Sequence, residues 1–546
     1  MGGSQQHVAA ASLGLAVALC IPLVLVVRYR KSRVYRIAPR ALNKPAIERT
    51  PPATTTAAAT AVRRAPEEDE QVFSLYGRGD GDSSVDAEPL APPIELSGSV
   101  LALLDSFDVD PVRGFLPPVD PLRRLPQREL QPWEAMAAAL PSLLAVGQAR
   151  KPLEELPELS IDVLTCQRER MRALLLLCVF AHASVWGNPE RPQGTIPKGI
   201  AVPLAALAAA EGMPPLLTHT SLVLHNWHRL DPAGPLRTEN LACNCHFLGG
   251  LDETWFYIST VEIEARGGAV FGALLEAQHA IAEADGGSDA SAAAGVVLGA
   301  LAVARAGIVS MREALARMPV GCHPLIFYQR VRPFLSGWKA NPTLPDGVVY
   351  EGVSSKKRQY YGGSAAQSTL FPALDAALEV SHSAHSSNAF LLEMREYMPP
   401  GHRRLLEHLA DPACPSIRRF VQNFARRSSQ ALPSKSGDAG TGADPPDDET
   451  VKNGETTPGN GCLGGDTTAA AALREAYNSC LGALSDFRST HLGIVGSYIL
   501  QQQKKDQKAG EAKSREDFAG GKGTGGTPLL DFLKPLKNDS RAVRLE

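Results

Sequence analysis

The sequence predicts a mainly helical protein, and three observations carry that prediction. Between Ala470 and Gln501, Leu484, Phe487, His491, Ile494, Val495 and Tyr498 follow a 3-4-3-1-3 spacing, that of a helix with one face on a core. Gly267–Arg317 is rich in alanine, the strongest helix former, and breaks only near Gly286–Gly287, so it reads as two antiparallel helices. Arg168–Val185 and Ile200–Glu211 add further helical patterns.

With 546 residues the chain can hold two or three domains and a large core. A net charge of -3 with 21% charged residues gives no general pull toward nucleic acid. Aromatics make up only 6% beside 48 glycines and 42 prolines, so part of the length lacks the apolar content to fold. The nine cysteines show no framework spacing, which fits reduced thiols in a catalytic part facing the cytosol. Cys243, Cys245 and His246 lack a second ligand pair at zinc spacing and read as a chance cluster.

Taken in order, Val8–Val27 is free of charge and long enough to span a bilayer. Arg28, Arg30, Lys31, Arg33 and Arg36 follow it, whereas Met1–His7 has no formally charged side chain, so the positive-inside rule faces the rest of the chain to the cytosol. Residues 1–30 are therefore read as a single-pass membrane anchor. A cleaved signal peptide or an organellar leader is the alternative for this segment, and a cytoplasmic or organellar location the alternative for the chain. Residues 31–95, Ala/Thr/Pro-rich and then acidic, form a disordered tether. Residues 96–235 make a small N-terminal domain and 236–546 a large helical domain, with a disordered insertion at about 428–466.

Within the first domain, Leu216–Leu230 is apolar and carries His219, His225 and His228, whose spacing does not place all three on one helix face. Trp255–Ala265 is a bulky core helix with Ser259 one turn after Trp255. Phe327 and Arg332 lie in HPLIFYQRVRPFLSGWK (323–339), where an isolated arginine is either solvated or a planar cation set in an apolar pocket. YYGGSAAQSTLF (360–371) is a Gly-rich helix entry without the lysine or spacing of a nucleotide loop. His491 interrupts the apolar stripe of the long C-terminal helix, and Arg488 precedes it by one turn. Such an imidazole is either a hydrogen-bonded core histidine or an axial ligand, with a cation placed to meet a propionate.

Several of these stretches together resemble the indoleamine 2,3-dioxygenases. The match runs through GFLPPVDPLRRLP (114–126), IAVPLAAL (200–207), the 323–353 block, GGSA (362–365), REAYNSC (474–480), FRSTHLGIV (487–495) and KGTGGTPLLDFLK (522–534). The resemblance implies haem b (iron protoporphyrin IX) as cofactor, a small N-terminal α (α+β) domain on a large all-helical haem domain, and a monomeric catalytic part. It makes His491 the proximal iron ligand and Arg488 the propionate partner, steadied by Asp375. Gly363 and Ala365 would lie over the haem, with Ser364 and Ser259 near the reacting oxygen. Trp255, Phe327, Arg332 and Thr524 would hold the amino-acid substrate. His219 stands where the vertebrate enzymes have tyrosine, a departure that touches substrate preference.

The activity implied is insertion of both atoms of O2 across the C2–C3 bond of the L-tryptophan indole, giving N-formylkynurenine in the kynurenine pathway. Two alternatives remain: a dioxygenase of the same fold with another indole substrate, and a non-enzymatic haem protein that binds oxygen. Retention of both Arg332 and Thr524 speaks for the enzyme.

Overall fold

A computed structural model describes residues 94–188, 191–285, 289–382, 387–430, 463–508 and 529–546. The expected anchor, all but the last two residues of the expected tether, and residues 431–462 of the expected 428–466 insertion lie outside the described residues; 428–430 and 463–466, expected as disordered, are helical. Ser97 opens the first helix, α1 (Gly98–Ser106), by accepting the Val100 N–H on its hydroxyl. Behind it, α2 (Gln131–Ala145), α3 (Gln167–Trp186) and α4 (Lys198–Ala210) form an apolar group. α3 is buried almost all round, which is why it shows no amphipathic period. One ion pair crosses this group: Arg172 Nη2 donates to Glu134 Oε2 at 2.7 Å, both side chains buried.

Two short sheets brace these helices. β1 (Thr195–Ile196) runs parallel to β4 (Val348–Tyr350), which pairs antiparallel with β5 (Ser354–Arg358). β2 (His228–Arg229) and β3 (Leu241–Ala242) form a separate antiparallel pair. The fold is thus mainly α with minor strands, as the sequence predicts.

Further helices include α5 (Leu251–Arg266), α6 (Gly268–Asp285), α7 (Ala290–Ala316), α8 (Arg332–Leu335), α9 (Leu370–Ala377), α10 (Pro400–Ala410), α11 (Ile417–Gln430), α12 (Leu463–Val495) and α13 (Leu529–Ala542). α6 and α7 are the alanine-rich pair, the first ending at Asp285 and the second beginning at Ala290. The stretch Ala290–Gly321 is long and apolar enough to cross a membrane. Here it is a core helix: Val297, Leu301, Ala304, Ile308 and Met311 are buried on one side of it, against α6 and α12.

The described residues form two hydrophobic cores. One gathers Trp133, Trp186, Trp227 and Trp338, and the other gathers Phe271, Leu301, Tyr477 and Leu484. α5 passes from one to the other: Tyr257 and Val261 belong to the first and Ile263 to the second. Ile494 of α12 packs against both.

Candidate active site

The two cores leave between them a cavity of about 850 Å³, within the size range of ligand and cofactor pockets. Three single-turn π-helices reach it: Thr220–Leu224, Phe327–Val331 and Gly496–Leu500. Each inserts one residue into a helical turn and re-aims the side chains beside it. Leu222 and Val223, Phe327, and Tyr498 and Ile499 are the cavity-lining residues they supply.

At one end stand His491 and Arg488 of α12 and Asp375 of α9. The His491 imidazole has no hydrogen-bond partner among the described residues, so it is not a hydrogen-bonded core histidine. Burial, helped by the nearby Arg488 cation, pushes its pKa down to about 4, so at neutral pH the ring offers a lone pair. Arg488 donates from Nη2 to both Asp375 oxygens at 2.6 Å, and from Nη1 to the Leu536 carbonyl of α13 at 3.0 Å and to Ser540 Oγ. His382, absent from the sequence expectations, joins this group by donating to Asp375 Oδ2 at 3.0 Å and to Asp539 Oδ2 at 2.7 Å. Burial opposes charge on both partners. The Arg488 and His382 cations outweigh it at Asp375 and hold its carboxyl low, and the two carboxylates outweigh it at His382 and hold its imidazole high.

Elsewhere on the cavity wall lie Arg332, Phe327, Phe256, Thr260, Glu264 and His219. The Phe327 ring sits 4.6 Å from Phe256 and 5.6 Å from Tyr498, forming an aromatic box. Burial lowers the Arg332 pKa from a very high reference, so the guanidinium keeps its charge within apolar walls, 5.7 Å from the Tyr328 ring. Gly363, Ser364, Ala365 and Ala366 line the cavity as an extended loop and a tight 3-10 turn. A Cβ on Gly363 would meet nothing beyond its chain neighbours nearer than the Leu217 carbonyl at 3.8 Å, so the space against it is open. Gly362 differs. Its Cβ would fall 2.1 Å from the Leu335 carbonyl, so close backbone packing requires glycine there.

The structure brings together His491, Arg488, Asp375, Gly363, Ser364, Ala365, Phe327, Arg332 and His219, but corrects two expectations on α5. Trp255 and Ser259 do not line the cavity; Phe256 and Thr260 do. Each residue turns the helix by about 100°, so an offset of one position moves a side chain to another face. Trp255 instead donates from Nε1 to the Arg317 carbonyl at 3.2 Å and packs over Gly321. Ser259 is buried in the helix packing with its hydroxyl unsatisfied. Ser364 lines the cavity, yet its Oγ is engaged as a cap, accepting the Ala366 N–H at 3.2 Å. Thr524 lies outside the described residues. The segment around His219 is a single π turn followed by β2, and His228 does not line the cavity but bonds Asn244 Oδ1 at 2.8 Å.

These residues fit a haem. The open imidazole can ligate iron, the apolar walls can hold the macrocycle, the Gly363 side leaves room above it, and Arg488 can meet a propionate. The chain matches the family model described as "Indoleamine 2,3-dioxygenase" over residues 103–543. It is 33% identical over 443 residues to indoleamine 2,3-dioxygenase 2 of Mus musculus, covering 81% of this chain and 95% of the relative. It is also 33% identical over 478 residues to indoleamine 2,3-dioxygenase of Saccharomyces cerevisiae, covering 81% of this chain and 94% of that protein. A 6-hydroxytryptophan 2,3-dioxygenase of Fusarium equiseti is 30% identical over 446 residues, covering 80% of this chain and 96% of its own length.

Proposed function

The chain belongs to the indoleamine 2,3-dioxygenase family of haem-dependent oxidoreductases, and on that premise we propose that its substrate is L-tryptophan, opened with O2 to N-formylkynurenine. The observation that carries the proposal is one cavity holding both an imidazole with no hydrogen-bond partner among the described residues, His491, and a buried guanidinium, Arg332. When bound on His491, haem supplies the activation of O2. The rest falls to the protein. Arg332 takes the amino-acid carboxylate as a bidentate pair, and Phe327 and Phe256 flank the indole. The apolar walls keep water from the reacting carbon atoms. Arg488, with Asp375 behind it, fixes the macrocycle edge. We extend the proposal to the N-terminus, where Val8–Val27 would tether this unit to the cytosolic side of a membrane; sedimentation of the full chain with membranes, lost on deleting residues 1–30, tests that part.

The experiment for the activity is turnover of L-tryptophan under air by the ferrous haem-loaded protein, followed by the near-ultraviolet absorbance of N-formylkynurenine. Product formation whose KM for L-tryptophan is raised by Arg332→Ala supports the reading. A haem-loaded protein that binds oxygen stably and makes no product refutes it in favour of an oxygen binder.

A further inference from the structure

One polar cluster on the cavity wall has no part in the proposal above. Glu264 on α5 is 2% exposed, and its Oε1 accepts from His219 Nε2 at 2.8 Å and from Ser368 Oγ at 2.6 Å. Gln367 Oε1 accepts the His219 backbone N–H at 3.1 Å, and its Nε2 donates to the Gly362 carbonyl at 2.9 Å. Two distant segments thus meet around His219: a carboxylate bonds its imidazole, a serine bonds that carboxylate, and a glutamine takes its backbone N–H. Burying such groups is costly unless each is satisfied, and Glu264 Oε2 has no hydrogen-bond partner among the described residues.

The arrangement dictates what the imidazole can offer. With Nε2–H donating to the carboxylate, the Nε2–H tautomer of the ring carries its lone pair on Nδ1. Nδ1 has no partner among the described residues and is not among their sealed, unsatisfied buried atoms, while His219 itself lines the cavity with Phe256 and Phe327. A tie between chain segments needs only Nε2. The second nitrogen is left for a ligand.

We propose that His219, its tautomer set by Glu264, is the cavity's hydrogen-bond acceptor for a donor carried on the substrate's ring system. The inference rests on the reading of this chain as a dioxygenase of indole amino acids and narrows the substrate class. Two ring donors share that chemistry, the indole N–H and a hydroxyl on the benzene half. Glu264 acts through His219 and is a positioning residue.

The test uses the full-length haem-loaded protein, with kcat and KM for L-tryptophan, 1-methyl-L-tryptophan and 6-hydroxy-L-tryptophan. His219→Phe keeps the ring and removes the acceptor. If the indole N–H is the donor, it lowers kcat/KM for L-tryptophan and the hydroxy compound by about tenfold, the scale of one hydrogen bond, and leaves the N-methyl compound unchanged. If the hydroxyl is the donor, the loss falls on 6-hydroxy-L-tryptophan alone. Glu264→Gln moves the same substrates in the same direction by a smaller factor. Equal loss for all three compounds, or no loss, overturns the proposal. Should His219→Phe fail to load haem, the wild-type protein still decides the matter by the Soret shift on titration with the three compounds. There, indistinguishable affinities refute the acceptor. Absence of turnover with every compound counts against the proposed activity instead, and the Soret ranking still reads the acceptor separately.

Discussion

Replacing Asp375 with alanine removes the group that Arg488 and His382 share at the cofactor end of the cavity. In the native fold Arg488 meets both carboxylate oxygens at 2.6 Å and His382 meets one at 3.0 Å, with Asp375 and Arg488 only 8% and 9% exposed. Breaking a buried pair from one side leaves the other charge stranded, which costs about 3–5 kcal/mol. Arg488 keeps its bonds to the Leu536 carbonyl and Ser540, so the lower end, about 3 kcal/mol, is expected. Against a typical stability of about 5–15 kcal/mol that is a large fraction. Urea unfolding of the haem-free protein, followed by far-ultraviolet circular dichroism, should show the midpoint fall accordingly. The double variant Asp375→Leu with Arg488→Met should recover most of the loss, because apolar groups of similar volume need no partner. It should nevertheless release haem more readily than wild type, having lost the cation at the propionate. A single-variant loss below about 1 kcal/mol would show that the pair is solvated and refute the reasoning.

Three further outcomes follow from the same geometry. Arg332→Ala should raise KM for L-tryptophan by about 10–100-fold, the scale of a charged hydrogen bond, with the Soret band of the resting protein unchanged. Phe256→Ala should impair substrate binding, whereas Trp255→Ala, on a different face of α5, should lower the melting temperature and leave KM alone. The His382 pKa is raised in the fold, so its contribution is complete below the ordinary histidine value of about 6.5 and is lost as pH rises through the folded value. Urea midpoints should therefore fall with rising pH across that window in wild type and less so in His382→Gln.

Much of the helical architecture could be read from the sequence because its signals are local. Alanine content marks α6 and α7, and the three-to-four period marks α12. His491 and Arg488 were legible because one turn separates them. Asp375, far away in the chain, was found only through resemblance. α5 shows where reading fails: Trp255, Phe256, Tyr257 and Ile258 are bulky and consecutive, so periodicity does not say which face meets the cavity. The π turns that aim Phe327 and Tyr498 leave no compositional mark. Glu264 was missed since a glutamate within VEIEAR reads as a solvated helix face, and only folding brings it to His219 and Ser368.

The most direct test of the account is titration of haem into the apoprotein, wild type beside His491→Ala, monitored by the Soret band. The account predicts saturation at one haem per chain with a histidine-ligated spectrum in wild type. In His491→Ala, haem should be lost or its ligation altered. The same histidine-ligated spectrum in both proteins would place the iron on another residue and contradict the assignment of this cavity.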